Sequence, residues 1–331
     1  MAVAIFAVYR WRSTGFDSGA FLATFTGVNW YWLALSIPLI LATYAGRALR
    51  WQVMVKAIHP ASSFKNIFVA TAIGFTAIVF FGRAGELVRP YLIAKKEGLP
   101  FSTQIASWLL ERILDLMMVL LIFGFALAEI HRSAVAPGPK MKLILEAGGT
   151  VIGVAGATCL IVLLLFRFFN QTMQRRLLEA ITFLPEHIRT KINAVLTAFS
   201  QGMQSTRSNL YVLLLIGYSV LEWVLIVAAY VCLLRAFPAT EHMTLTDVVI
   251  FMGFVSFGAA IQLPGVGGGM QVAAIFVFTE FFRLSLETST GMALVLWGVT
   301  FVVIVPVGIA LALREGLHWR SLKHISEETQ V

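Results

Sequence analysis

Residues 82–92 read GRAGELVRPYL and set Arg83, Glu86 and Arg89 between two strongly apolar stretches. An ion at the centre of a membrane helix costs roughly 2.5–3.5 kcal/mol on insertion scales, so charges at such a place usually line a polar cavity or meet a headgroup. Here the arginines suit a lipid phosphate, with Glu86 holding one of them in place; the alternative is a snorkelling pair at a hairpin tip. A second cluster, ERILD, brings Glu111, Arg112 and Asp115. Their i,i+3 and i,i+4 spacing puts all three on one side of a helix. Left facing lipid they would cost roughly 7–10 kcal/mol in sum, so they must face protein or water. They either contact a headgroup or tie this helix to Arg83 or Arg89, and one network can do both.

The third motif, LPGVGGG, ends in four glycines within residues 264–269. Pro264, Gly265, Gly267 and Gly268 can expose backbone N–H groups as an anion nest, and Gln271 follows as a hydrogen-bonding side chain. No GK[ST] follows, so this is not a nucleotide loop; the plainer reading is a close-packed hairpin tip. Glu222 stands alone in a long apolar run. It is a coupling carboxylate, a counter-ion for an arginine of the first half, or a neutral hydrogen-bonded acid. Arg47 and Arg50, at the end of the first apolar run, read as snorkelling anchors.

These residues sit in a chain that is 59% hydrophobic and only 13% charged over 331 residues. A soluble domain carries about 25% charged residues, so that class is excluded. The net charge of +8 is spread over many loops, which points to cytoplasmic loops and anionic lipid rather than to nucleic acid. The two cysteines, Cys159 and Cys232, lie in apolar segments and form neither a disulfide framework nor a metal motif. No cofactor is expected. Residues 1–8 are apolar but too short to span, and read as a helix remnant or an interfacial anchor.

Apolar segments at 30–46, 66–81, 105–130, 148–169, 210–234, 248–263, 270–282 and 291–313 predict an all-α polytopic membrane protein. The polar break at 170–209 has amphipathic periodicity and divides half one, 30–169, from half two, 210–313; a polar tail follows at 314–331. Each half runs helix, broken apolar pair, short loop, long helix. The arms of the broken pairs are short for a hydrocarbon core of about 30 Å. Arms that short predict re-entrant hairpins. Four basic residues and no acid at 47–65 place the first hairpin's base in the cytoplasm, and the acidic stretch 235–247 lies outside. The expected fold is therefore two inverted-topology halves, with the site near the midplane where they meet.

The three motifs in this order resemble the membrane domain of the lysylphosphatidylglycerol synthetase/flippase family, also described as flippase-like. The resemblance runs over roughly residues 31–313 and rests on GRxGE..R at 82–89, ER..D at 111–115 and the proline-glycine element at 264–269. It covers the membrane domain alone, as in a stand-alone member lacking the aminoacyl-transferase domain. Gln271 is the nearest polar side chain where the family often carries a glutamate. The resemblance implies a multi-pass inner-membrane protein that flips or otherwise handles a polar lipid: an anionic phospholipid, an aminoacyl-phospholipid or an isoprenoid lipid. The other readings are an enzyme that modifies a lipid headgroup, with Glu86, Glu111 or Asp115 as general acid or base, and an accessory subunit of a lipid-synthesis complex. A second copy of the chain or a lipid-synthesis enzyme is the expected protein partner.

Overall fold

The computed structural model describes residues 16–132, 139–168, 208–259, 262–263 and 267–316, with isolated residues between 175 and 197. The expected N-terminal anchor, almost all of the amphipathic linker at 170–209, the tail beyond 316, and Pro264 and Gly265 lie outside the described residues. Among the described residues the regular elements are helices apart from two strands of two residues each.

A short helix α1 (Ser18–Ala23) precedes α2 (Trp30–Lys56), α3 (Phe64–Phe81), a 3-10 turn (Gly82–Leu87), α4 (Val88–Glu97), α5 (Phe101–Arg132) and α6 (Pro139–Phe168). The second half has α7 (Asn209–Arg235), α8 (Leu245–Gly258), β1 (Gln262–Leu263), β2 (Gly267–Gly268), α9 (Gly269–Glu280), α10 (Leu286–Trp297), a π-helical segment (Gly298–Val302) and α11 (Val305–Arg314). Five stretches are long and apolar enough to cross a membrane: Trp30–Lys56, Phe64–Glu97, Phe101–Ile130, Asn209–Arg235 and Leu286–Arg314. The chain is a multi-pass membrane protein.

One of those stretches, Phe64–Glu97, doubles back. The carboxylate of Glu97, its last residue, accepts the Ser63 backbone N–H at 3.2 Å and the Asn66 side-chain amide at 2.8 Å, so its two ends meet. The arms match in length, each about 27 Å from the rise per residue of α- and 3-10 helix. Three glycines allow the fold-back. Gly82 ends α3 at φ 60° and ψ −138°, which only glycine adopts without strain. A Cβ on Gly85 would lie 2.4 Å from the carbonyl of Ala77, and one on Gly74 would lie 2.5 Å from Cβ of Arg89.

A second hairpin joins α8 to α9. Its arms touch at Gly258, where a Cβ would lie 2.5 Å from Cβ of Ala273, and stack Phe251 on Phe278 at 4.5 Å between ring centroids. Its tip is the antiparallel bridge of β1 and β2, with Gln262 opposite Gly268 and Leu263 opposite Gly267. That tip packs against the 3-10 turn of the first hairpin.

The hairpins open at opposite ends of the bundle. Lys96 at the base of the first hairpin pairs with Glu315 beyond α11 at 2.5 Å. At the other end the Asn29 N–H donates to the Ala236 carbonyl at 2.8 Å and the Asp17 N–H to Glu287 at 3.4 Å. That gathers the starts of α2 and α10 with the end of α7, beside the base of the second hairpin. Each hairpin sits in its own apolar cluster. One is built on Trp51, Ile67, Ile73, Leu92 and Leu110, the other on Phe123, Trp223, Phe251 and Phe278.

Replacing Gly85 by Ala puts a methyl against backbone that cannot yield, so about 1–3 kcal/mol of stability should be lost. Gly217→Ala, with nothing within 4 Å of the added carbon, should leave the melting midpoint in detergent unchanged or slightly raised. Equal midpoints for the two variants would contradict the tight hairpin.

Candidate functional site

Four elements place charge at one level of the bundle. α2 supplies Arg47 and Arg50, α4 supplies Arg89 in its first turn, α5 supplies Glu111, Arg112 and Asp115, and α7 supplies Glu222 at its middle. Arg50, Glu111 and Glu222 are fully buried.

Arg50 is the hub. Its Nη2 lies 2.8 Å from Glu111 and 2.7 Å from Asp115, and its Nη1 lies 3.4 Å from Glu222 and donates to Ser219 Oγ at 3.0 Å. Arg47 reaches the same three carboxylates: Glu222 at 2.5 Å, Asp115 at 3.4 Å and Glu111 at 3.7 Å. Arg112 pairs with Asp115 at 3.0 Å. Arg89 closes the set from the first hairpin by donating from Nη2 to Glu111. Its guanidinium lies 4.1 Å from the centroid of the Trp51 ring, and Trp51 is itself fixed by donating Nε1–H to Gln104 at 2.9 Å. Cation–π contacts of this kind gain strength when desolvated.

Beside the network, Gly74, Phe75 and Ile78 of α3 and Trp108 of α5 wall a small, partly open pocket. Its polar lining is Glu86, Arg89 and Arg112. Three atoms of these side chains are buried without a hydrogen-bond partner: Arg89 Nη1, Arg112 Nε and Glu86 Oε2. Buried polar atoms are nearly always satisfied, so these two donors and one acceptor are unmet valences around one pocket.

Of the residues singled out in the sequence, Arg89, Glu111, Arg112, Asp115 and Glu222 come together, and Glu86 borders them. The expected ion pair between the first two motifs is present as Arg89–Glu111, and Glu222 faces arginines of the first half. Arg83 does not enter the buried set. Its side chain is 57% exposed at the hairpin tip, where it pairs with Glu86 at 3.2 Å. Glu86 and Arg89 both line the pocket, across the junction where the 3-10 winding of residues 82–87 passes into α4. Gly267 and Gly268 form the tip of the second hairpin, with Gln271 in the first turn of α9. All three lie outside the ion-paired set.

Arg47 and Arg50 are the residues that sequence reasoning misplaced. They do not snorkel at a helix end: α2 continues to Lys56. The signal was available, since the buried stripe Tyr44, Ala48, Trp51 and Val55 keeps helical spacing past both arginines. α5 likewise begins at Phe101 rather than 105, which moves Glu111 from near the helix start to about its third turn. Among the described residues, no three His, Cys, Asp or Glu side chains are arranged to hold a metal ion.

Removing one side of a buried pair strands the other charge, at a cost of about 3–5 kcal/mol. Arg50→Ala and Glu222→Ala should each lower the unfolding midpoint in detergent by that order, and the double variant should lose less than the sum. Arg50→Lys should not rescue, because one ammonium lacks the fork that reaches Glu111, Asp115, Glu222 and Ser219 together. Strict additivity would mean that Arg50 and Glu222 do not act on each other.

A family model described as the lysylphosphatidylglycerol synthase TM region matches residues 1–308. No curated protein and no solved structure gives a significant match. The match spans both hairpins and every member of the ion network. The chain belongs to the lysylphosphatidylglycerol synthase transmembrane-region family, whose members are membrane proteins of lipid handling.

Proposed function

We propose that this protein flips a polar or anionic lipid across the cytoplasmic membrane without changing it covalently. The observation that carries the reading is the meeting of two hairpins from opposite ends of the bundle beside a buried, arginine-rich pocket. In a bilayer each hairpin is then re-entrant, and the halves form an inverted repeat of the kind that alternating-access transporters use, with the site near the midplane. Lys56, Lys65, Lys95, Lys96 and Arg314 cluster at the end where the first hairpin opens, which makes that end cytoplasmic by the positive-inside rule. Arg89 and Arg112 receive the headgroup phosphate. Glu111, Asp115 and Glu222 hold the arginines in place, and Glu222 links the halves.

Sidedness has a direct check. Cysteines placed at Lys95 and Leu286, at the bases of the two hairpins, should react with an impermeant maleimide only from the cytoplasmic and only from the outer face, respectively. Reaction of both from one face would remove the inverted arrangement. In proteoliposomes, a tail-labelled anionic lipid should change leaflet with its mass unaltered. Arg89→Ala and Glu111→Ala that still elute as folded protein should slow this at least tenfold. Wild-type rates in both variants would remove the site, and a change in lipid mass would make the protein an enzyme.

A further inference from the structure

The last membrane span carries a hydroxyl that its own winding leaves unmet. Thr300 lies in the middle of the π-helical residues Gly298–Val302. Its Oγ1 is buried without a hydrogen-bond partner; the Tyr230 side chain of α7 comes near it without the geometry of a bond. Threonines in the α-helices of this chain behave differently. Thr71, Thr76, Thr279 and Thr290 each donate to the carbonyl four residues back, at 2.7–2.9 Å, a bond that α winding offers to threonine. For Thr300 that acceptor would be the Leu296 carbonyl. The wider π turn carries the hydroxyl away from it, and the Val303 N–H reaches back five residues to the Gly298 carbonyl at 3.1 Å.

The Thr300 carbonyl has a partner from outside the span: it accepts the Tyr44 hydroxyl of α2 at 2.8 Å. We propose that residues 298–304 are a two-state switch, π-wound and locked by the Tyr44 hydroxyl in this structure, α-wound in the other state with the Thr300 hydroxyl on the Leu296 carbonyl and Tyr44 released. Each state leaves one hydroxyl unmet, that of Thr300 here and that of Tyr44 in the other, since Tyr44 is buried too. A hydrogen bond gained on one side of the switch is set against one lost on the other. The segment has room to rewind. A Cβ on Gly298 would meet nothing within 4 Å, and residues 303 and 304 already stand outside any helix. Pro306, at the start of α11, has no N–H to give to the ladder.

The switch touches the candidate site through one ring. Tyr44 stands one turn before Arg47 on α2 and packs edge-on against Phe75 of α3, with 4.9 Å between ring centroids. The guanidinium groups of Arg47 and Arg89 each lie 5.1 Å from the centroid of that same Phe75 ring. A shift of either arginine therefore presses on the ring that backs Tyr44 in its lock. An element with two discrete arrangements, whose balance both ends affect, is what carries coupling between a site and a motion. Use of the switch in moving lipid rests on the function proposed above; the two windings do not.

The test uses the whole chain in detergent with 4-trifluoromethyl-phenylalanine in place of Phe301, and fluorine NMR reads the winding. Two resonances are expected, the π-wound state giving the larger. Thr300→Val keeps the shape of the side chain and deletes the unmet hydroxyl, so the minor resonance should shrink by about threefold or more. Tyr44→Phe deletes the lock and the hydroxyl stranded by its release, so the minor resonance should grow by about as much. Each passage between windings breaks hydrogen bonds, so the amides of residues 298–305 should exchange with deuterium more slowly in Thr300→Val and faster in Tyr44→Phe.

Shifts in the same direction, or a single unmoved resonance in all three proteins, would overturn the switch. If Tyr44→Phe lowers the melting midpoint too far to be read, Thr300→Val decides alone, because it removes a group that has no partner: unchanged resonances and unchanged exchange there would overturn the switch as well. In proteoliposomes Thr300→Val should slow the leaflet change of the tail-labelled anionic lipid by about threefold or more. A wild-type rate in that variant would detach the switch from transport. A wild-type protein that moves no lipid would instead remove the flipping reading and leave the two windings to stand on their resonances.

Discussion

An arginine held inside an apolar bundle has to be met by a carboxylate, and here the requirement is collective. Arg50 cannot be satisfied by one partner: its two terminal nitrogens face Glu111, Asp115, Glu222 and Ser219 from two other helices. Arg47 faces the same acids from one turn earlier. The relative rotation and height of α2, α5 and α7 follow from this, because sliding any one of them by a residue would carry a full charge away from its partners. Apolar packing alone does not impose such a register, since leucine against lipid and leucine against leucine differ little in a membrane.

The first hairpin joins this scaffold through the Arg89–Glu111 ion pair, ring contacts at Trp51 and Phe75, and the apolar cluster that includes Ile73 and Leu110. Arg89 sits at the start of α4, donates to Glu111 and lies over Trp51. Its backbone and Cβ press on Gly74 of the facing arm. One residue therefore helps close the hairpin on itself and links it to α2 and α5. The pocket lies beside that junction, so its two arginine donors are held by the same contacts that hold the fold. A pocket built this way cannot be loosened without loosening the bundle, which separates it from pockets carried on mobile loops.

Much of this arrangement is legible in the chain, and the parts that are not have physical reasons. Charges inside apolar runs are conspicuous because burial is so costly, and Glu86, Arg89, Glu111, Asp115 and Glu222 all announce themselves that way. The fold-back at 82–89 shows in its glycines and in the two short apolar arms that flank them. Arg47 and Arg50 are hidden because a cation near the end of an apolar run has a cheap alternative at the headgroup layer. Only the continued stripe through Trp51 and Val55 argues against it. The start of α5 is hidden for a similar reason: Thr103 and Gln104 look like loop residues but are fully buried. No periodicity in the sequence reveals that residues 82–87 wind as 3-10 helix.

The last membrane helix divides its loyalties. α10 packs on α9 of the second hairpin and on α1, where Gly291 abuts Thr24. α11 packs on α3 of the first hairpin, so closely that a Cβ on Gly308 would overlap the Thr76 hydroxyl at 1.9 Å. Between the two lie the π-helical residues Gly298–Val302, whose Thr300 carbonyl is taken by the Tyr44 hydroxyl of α2 at 2.8 Å. The same polypeptide is thus clamped to both hairpins, one at each end of its length. Any displacement of one hairpin against the other must be absorbed as twist or bend across that five-residue segment, where the backbone has already left the α-helical ladder.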